Sequence, residues 1–203
     1  MLNPQQLDFP ITPAQRPWDA RLARRLVLPL KDTWVTPNQL TTVRLLVGLA
    51  AAAAFIPGTF FWSNIGALLM VLSNFLDHTD GELARISGKT SRFGHLYDLA
   101  SDAAVTILVF IAMGFGVGLA GLGLLSGTAI ALIFYFRLRI EEIAGKSGTR
   151  QAAIGGFETE DILYLAPLVT LCNGVPTFLM AAAACAPLYA IWVTIEYRRV
   201  IAG

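Results

Sequence analysis

Apolar residues run along this chain in long stretches broken by short connections, and each stretch stays apolar around most of a helical circumference rather than along one stripe. About 20 residues of helix cross a hydrocarbon core, and the stretches reach that length. Six transmembrane helices are predicted, near residues 38–57, 61–84, 92–115, 119–140, 158–173 and 176–197. The expected fold is therefore an all-α polytopic membrane protein. Ahead of the first span, residues 1–36 are too polar to cross and show no signal-peptide core, so they form a cytosolic N-terminal segment. Within it Trp18, Leu22, Leu26 and Val27 recur at helical spacing while Arg21, Arg24 and Arg25 carry charge. That pattern predicts an amphipathic juxtamembrane helix lying in the headgroup layer, with simple packing on the bundle as the alternative. Thr36 and Pro37 read as the N-cap and first residue of span one, opening a single membrane domain over residues 37–203.

Composition agrees with the pattern: 55% of the 203 residues are hydrophobic, 14% are charged, and the mean hydropathy is +0.61. A soluble domain is excluded. The connections near 58–60, 116–118 and 174–175 carry no charge, whereas Arg85, Lys89, Arg92, Arg137, Arg139, Lys146, Arg150, Arg198 and Arg199 gather at the opposite helix ends. By the positive-inside rule those ends, and both termini, face the cytoplasm. The net charge of +1 conceals this polarity, because acidic residues crowd the same face.

Cys172 and Cys185 fall in or beside apolar spans with no CxxC or Cys/His spacing, so they read as small core residues. Gly114-x3-Gly118 and Gly123-x3-Gly127 predict close helix packing. His78 and His95 lie within the acidic segment described next, where a surface or supporting role outweighs metal ligation.

That segment reads Asp77-x2-Asp80-Gly81-x2-Ala84-Arg85-x8-Gly94-x3-Asp98-x3-Asp102. Asp77 and Asp80 share one face near the cytoplasmic end of span two, and Asp98 and Asp102 share one face near the start of span three. The connection between them is short, so the spans are antiparallel neighbours and the four carboxylates can converge. Left bare in a low dielectric they would repel and pay a large desolvation cost; they must be protonated, paired with cations or bound to metal. Oxygen-only ligation points to a hard divalent ion, magnesium, manganese or calcium, and four carboxylates have room for two ions. Gly81 lets a ligand approach the helix backbone, Gly94 could do the same across the gap, and Arg85 adds a fixed guanidinium fork. Metal, arginine and a glycine gap together suit a phosphate, so the bottom-up reading is metal-dependent phosphoryl transfer at the cytosolic membrane edge. A divalent-cation transporter or channel is the rival, disfavoured because transport sites lie at the midplane and Arg85 would repel the ion.

The same string resembles the signature of the CDP-alcohol phosphotransferase (CDP-alcohol phosphatidyltransferase) family at every specified position, and Pro37-Asn38-Gln39-Leu40-Thr41 with Arg44 resembles the family's P-N-x-L-T opening. The resemblance covers most of the chain, although only the signature is specific. It implies an enzyme of phospholipid biosynthesis in which a hydroxyl attacks the β-phosphorus of a CDP-alcohol and releases CMP. Carried over, Asp77, Asp80, Asp98 and Asp102 are the metal ligands for Mg2+ or Mn2+, with Asp102 also the catalytic general base. Asn38, Asp77, Gly81, Arg85 and Ser91 are the candidate nucleotide-binding residues. Arg92, Arg137, Arg139, Glu158 and Asp161 are candidate acceptor-binding residues. Arg137 and Arg139, like Lys146 and Arg150, read equally as positive-inside charges, and Glu158, Glu160 and Asp161 as carboxylates favourable at a helix N-terminus. Pointing inward, such an acid would suit a polyol hydroxyl or an amine better than a phosphate, which weighs against a phosphorylated acceptor. The signature leaves open a CDP-diacylglycerol donor with a small polar acceptor, or a CDP-linked headgroup with a lipid or polyol acceptor. Glu82 is similar to members using CDP-inositol-like donors. Membrane lipids and the CDP-alcohol are the implied partners; a homodimer is left open and no nucleic acid is implied.

Overall fold

A computed structural model describes residues 18–145 and 164–202. These residues form seven α-helices and no strand: α1 (Trp18–Val27), α2 (Pro37–Phe55), α3 (Phe60–Ser87), α4 (Arg92–Gly116), α5 (Ala120–Ala144), α6 (Ala166–Leu171) and α7 (Val175–Ala202). Five of them, α2, α3, α4, α5 and α7, are long and apolar enough to cross a membrane. Span five as predicted, 158–173, begins outside the described residues, as do Lys146, Arg150, Glu158, Glu160 and Asp161; its described part holds only the short α6.

The helix starts follow from local chemistry. Thr36 caps α2 in a reciprocal capping box: its hydroxyl accepts from the Gln39 amide while the Gln39 side chain accepts from the Thr36 amide, with Pro37 at the first helical position. Thr59 and Ser91 cap α3 and α4 through the hydroxyl alone, accepting from the Trp62 and Gly94 amides, and α3 stops at Gly88, whose φ of +67° suits a residue without a Cβ. The α3–α4 connection is thus only residues 88–91, so the two acid-bearing helices run antiparallel; they meet through α2, on which both pack, rather than by packing closely on each other as expected for neighbouring spans.

α2 packs against both α3 and α4, α4 against α5, α5 against α7, and α6 against α3. The core sits toward the uncharged end, where Phe55, Ala67, Met70, Val109, Met113 and Leu179 are buried together. Glycines set the helix distances there: a Cβ on Gly114 would lie 2.8 Å from the Gly123 Cα, and one on Gly127 would lie 3.3 Å from the Ile107 carbonyl oxygen. Gly118 departs from the packing expectation. It sits in the α4–α5 turn at a φ of +72° with nothing near its missing Cβ, so it serves the turn.

α1 packs on α3 through Ala20, Ala23 and Val27, small residues that allow close approach, while Leu22 and Leu26 remain exposed on the opposite side. The expected apolar set is thus divided: Val27 docks on α3, Leu22 and Leu26 are exposed away from it, and the helix packs on the bundle.

Candidate functional site

Helices α2, α3 and α4 meet at the charged end. Their centre is Arg44, a guanidinium only 3% exposed inside an otherwise apolar helix. It hydrogen-bonds to Asp77 and Asp102 through Nη1 and donates through Nη2 to the Asp98 carboxylate at 2.9 Å and the Asp98 carbonyl at 3.0 Å. Its Nε lies 4.0 Å from Asp80 Oδ2. Ser73 on α3 donates to the Arg44 carbonyl at 3.1 Å, fixing α2 against α3 at this level.

The helical spacing of the acids does what the sequence requires. Asp77, Asp98 and Asp102 each offer an oxygen within 4.8 Å of the others. Asp80 stands beside that trio rather than within it: it is 4% exposed and accepts a 2.7 Å hydrogen bond from the Thr41 hydroxyl. Three converging carboxylate oxygens with a fourth acid alongside form a hard, oxygen-only donor set, and the burial of a guanidinium among them shows how strongly the site demands positive charge. The residues fit a divalent cation of the Mg2+ or Mn2+ type.

A cavity of about 680 Å3 opens next to the acids. Its lining includes Asn38 and Thr41 from α2, Asp80, Gly81 and Arg85 from α3, and Ser91, Arg92, Gly94, His95 and Asp98 at the start of α4, with Lys89 from the connection. The two glycines open this space. A Cβ on Gly81 would sit 3.0 Å from Arg85 Nη2, and one on Gly94 would sit 3.0 Å from Asn38 Oδ1 and 3.1 Å from Ser91 Oγ. The structure therefore brings together Asn38, Gly81, Arg85, Ser91 and Arg92 around one volume, with Asp80 and Asp98 in its wall.

It does not bring Arg137 or Arg139 to that volume. Arg137 donates to the Tyr189 hydroxyl at 2.8 Å, lies 3.5 Å from Glu196, and stacks near Tyr189 and Trp192, all on α7. Arg139 pairs with Glu142 one turn on. His95 lines the cavity, and its Nε2 lies 3.2 Å from Glu141 of α5. Two residues matter more here than their place in the sequence suggested. Arg44 entered only as part of the opening motif, yet an arginine two turns into an apolar span has to find acidic partners. Glu82 entered as a substrate marker, yet it has no exposed surface and faces Arg24 of α1 and Arg85.

Comparison with known proteins points the same way. A sequence model described as CDP-alcohol phosphatidyltransferase matches residues 34–197. An archaetidylinositol phosphate synthase from Pyrococcus horikoshii is 32% identical over 167 residues, covering 79% of this chain and 82% of that protein. A phosphatidylinositol phosphate synthase from Streptomyces avermitilis is 30% identical over 122 residues, 60% of this chain and 47% of its own. Cholinephosphotransferase 1 from Danio rerio is 35% identical over 92 residues, 40% of this chain and 23% of the relative, so the chain spans well under two thirds of several relatives it matches.

Proposed function

The chain belongs to the CDP-alcohol phosphatidyltransferase family, and from that premise we propose that it transfers a substituted phosphate from a CDP-alcohol to an acceptor hydroxyl with release of CMP. The observation that carries the reading is the convergence of Asp77, Asp98 and Asp102, with Asp80 beside them, next to a cavity whose wall includes Asp80 and Asp98 and whose rim carries Arg85, Lys89 and Arg92. No transporter reading draws support from these relatives.

Asp77, Asp80, Asp98 and Asp102 hold the divalent cations in this proposal. Bound there, the cations would neutralise the diphosphate oxygens. Arg85, with its guanidinium over the Gly81 gap, faces the diphosphate; Asn38, Ser91 and the open side of Gly94 border the nucleotide. Asp102 accepts the proton of the acceptor hydroxyl, whose oxygen forms the new bond to the β-phosphorus as the bond to the CMP oxygen breaks. Because the reacting groups are held by three packed helices, most of the rate enhancement comes from positioning and charge. Arg85, Lys89 and Arg92 lie at the end where the chain is basic, which supports a cytoplasmic active site.

For the acceptor, the basic rim and the likeness to the Pyrococcus horikoshii protein favour a phosphorylated polyol taken with a CDP-linked lipid donor. The second reading, a CDP-linked headgroup with a lipid acceptor, draws on the likeness to the Danio rerio protein. Purified protein in nanodiscs with Mg2+ or Mn2+ is to be offered CDP-diacylglycerol, CDP-inositol, CDP-choline and CDP-ethanolamine against inositol phosphate, glycerol 3-phosphate and lipid extract. CMP release and product mass are then read together. Release from CDP-diacylglycerol with a polyol phosphate, abolished by EDTA, is the expected result. Absence of CMP across the whole panel overturns the transferase reading.

A further inference from the structure

Glu82 is a carboxylate with no exposed surface, next to the Gly81 gap, and no step of the reaction uses it. Two arginines face its oxygens. Arg85 Nη1 lies 3.3 Å from Oε1, and Arg24 Nη1 lies 3.6 Å from Oε2. Arg85 is the cavity-lining one; its Nε also donates to the Gly81 carbonyl at 3.1 Å, so the guanidinium folds back along α3 over the gap. Arg24 comes from α1, which packs on α3.

An arginine 57% exposed has many rotamers open to it, and only one family of them lies over Gly81. Glu82 and the Gly81 carbonyl select that family. A glutamate paired to Arg85 alone would also cancel the charge a phosphate needs. The second arginine restores it, leaving the trio with one net positive charge. We propose that Glu82 is a positioning residue for the donor: supported by Arg24, it holds the Arg85 guanidinium over the Gly81 gap, so that the N-terminal helix α1 forms part of the donor-binding apparatus. This rests on the assignment of the cavity to the CDP moiety. An ion pair that merely fastened α1 to α3 would affect stability and leave ligand affinity alone.

The test uses the full chain in nanodiscs with Mg2+, measuring CDP affinity by calorimetry together with KM and kcat for the CDP-alcohol donor. Glu82→Gln is expected to weaken CDP and raise donor KM about tenfold while kcat stays within about threefold. Arg24→Ala, at a side chain 43% exposed, is expected to weaken CDP about threefold, Arg24→Lys to recover part of that loss, and Arg24→Ala to add nothing in the Glu82→Gln background. Unchanged CDP affinity in Arg24→Ala overturns the relay, and this variant decides the matter even where Glu82→Gln does not fold. So does a full additional loss from Arg24→Ala on top of Glu82→Gln, which would mean that the two act independently. Wild-type protein that neither binds CDP nor releases CMP defeats the donor assignment itself, a result distinct from active protein whose variants behave like wild type.

Discussion

At the uncharged end of the bundle a Cβ on Gly116 would lie 2.1 Å from the Phe55 carbonyl oxygen, and one on Gly58 only 1.7 Å from the Gly116 carbonyl oxygen. At the charged end, the same helices α2, α3 and α4 stand around a cavity of about 680 Å3 and a group of acids gathered on one buried arginine. One end has spent its glycines on contact, the other on space. Gly81 and Gly94 face side-chain tips and open volume, whereas Gly58, Gly114, Gly116 and Gly123 face backbone. The packed end is where rigidity can be generated without polar groups. The open end can then keep acids close together because the helices that carry them are already fixed elsewhere. If this division is right, substitutions at the two ends should separate cleanly into losses of chemistry and losses of stability.

The largest effect is expected at the open end. Asp102→Asn keeps the size and polarity of the side chain but removes both the charge and the proton-accepting oxygen that the proposed reaction needs. kcat should fall by about a thousandfold, in the middle of the range for a general base. CDP binding should remain measurable, since Asp77, Asp80 and Asp98 are untouched. Pre-steady-state CMP release with nucleotide binding measured on the same preparation checks this. A variant that loses nucleotide binding and fold together would show that the acids are structural, and the division between the ends would fail.

Next in size is Gly116→Ala at the packed end. Its Cβ meets main-chain atoms of the neighbouring helix end, which cannot swing aside as a side-chain tip can. The cost should reach at least about 3 kcal/mol, the upper part of the range for overpacking. The readout is the midpoint of thermal unfolding in nanodiscs, with kcat per folded molecule expected to stay near wild type. A selective loss of kcat with unchanged stability would join the two ends functionally.

How much of this division the sequence carried depends on the residue. The start of α2 was legible because Thr36 and Pro37 are chemical signals, whereas the starts of α3 and α4 were placed by hydropathy and the Thr59 and Ser91 caps emerge from the structure. Their ends were less so: α3 runs on to Ser87 and α5 to Ala144, past the predicted limits near 84 and 140, because hydropathy stops at the first charges while the hydrogen-bonded helix does not. The convergence of Asp77, Asp98 and Asp102 followed from spacing and one short connection. The Arg44 contacts did not, since they depend on the rotation of α2 against α3 and α4, which no local pattern encodes. One partner of Glu82, Arg24, lies on α1, 58 positions earlier, and only the docking of Ala20, Ala23 and Val27 on α3 brings it within reach.

A smaller effect is expected from Gly81→Ala. The new methyl would meet only the side-chain tip of Arg85, at 3.0 Å, rather than backbone, so the fold should survive with little change in unfolding midpoint. The guanidinium has to shift, and the methyl enters the gap assigned to the diphosphate. Donor KM should rise about tenfold, equivalent to about 1.4 kcal/mol, with a smaller change in kcat. The pairing with Gly116→Ala is the informative part: the same added atom should cost binding at one end and stability at the other. Equal losses of stability from both would mean that Gly81 is a packing glycine as well.

The smallest effect is expected from Ser126→Ala in α5. Ser126 has no exposed surface, and its hydroxyl finds no hydrogen-bond partner among the described residues. Replacing it removes a buried polar atom that contributes no hydrogen bond here, and the methyl of alanine fills nearly the same volume. The unfolding midpoint should stay level or rise, by no more than about 1 kcal/mol in stability, and kcat and KM should not move. The position is a sharp probe because it lies beside Gly127, on the helix that the close-packed glycines hold against α4. A packed end that works by shape alone should tolerate the loss of an idle hydroxyl. A clear destabilisation would mean that Ser126 donates to a group beyond those described, and that polar bonding as well as glycine contact holds that end together.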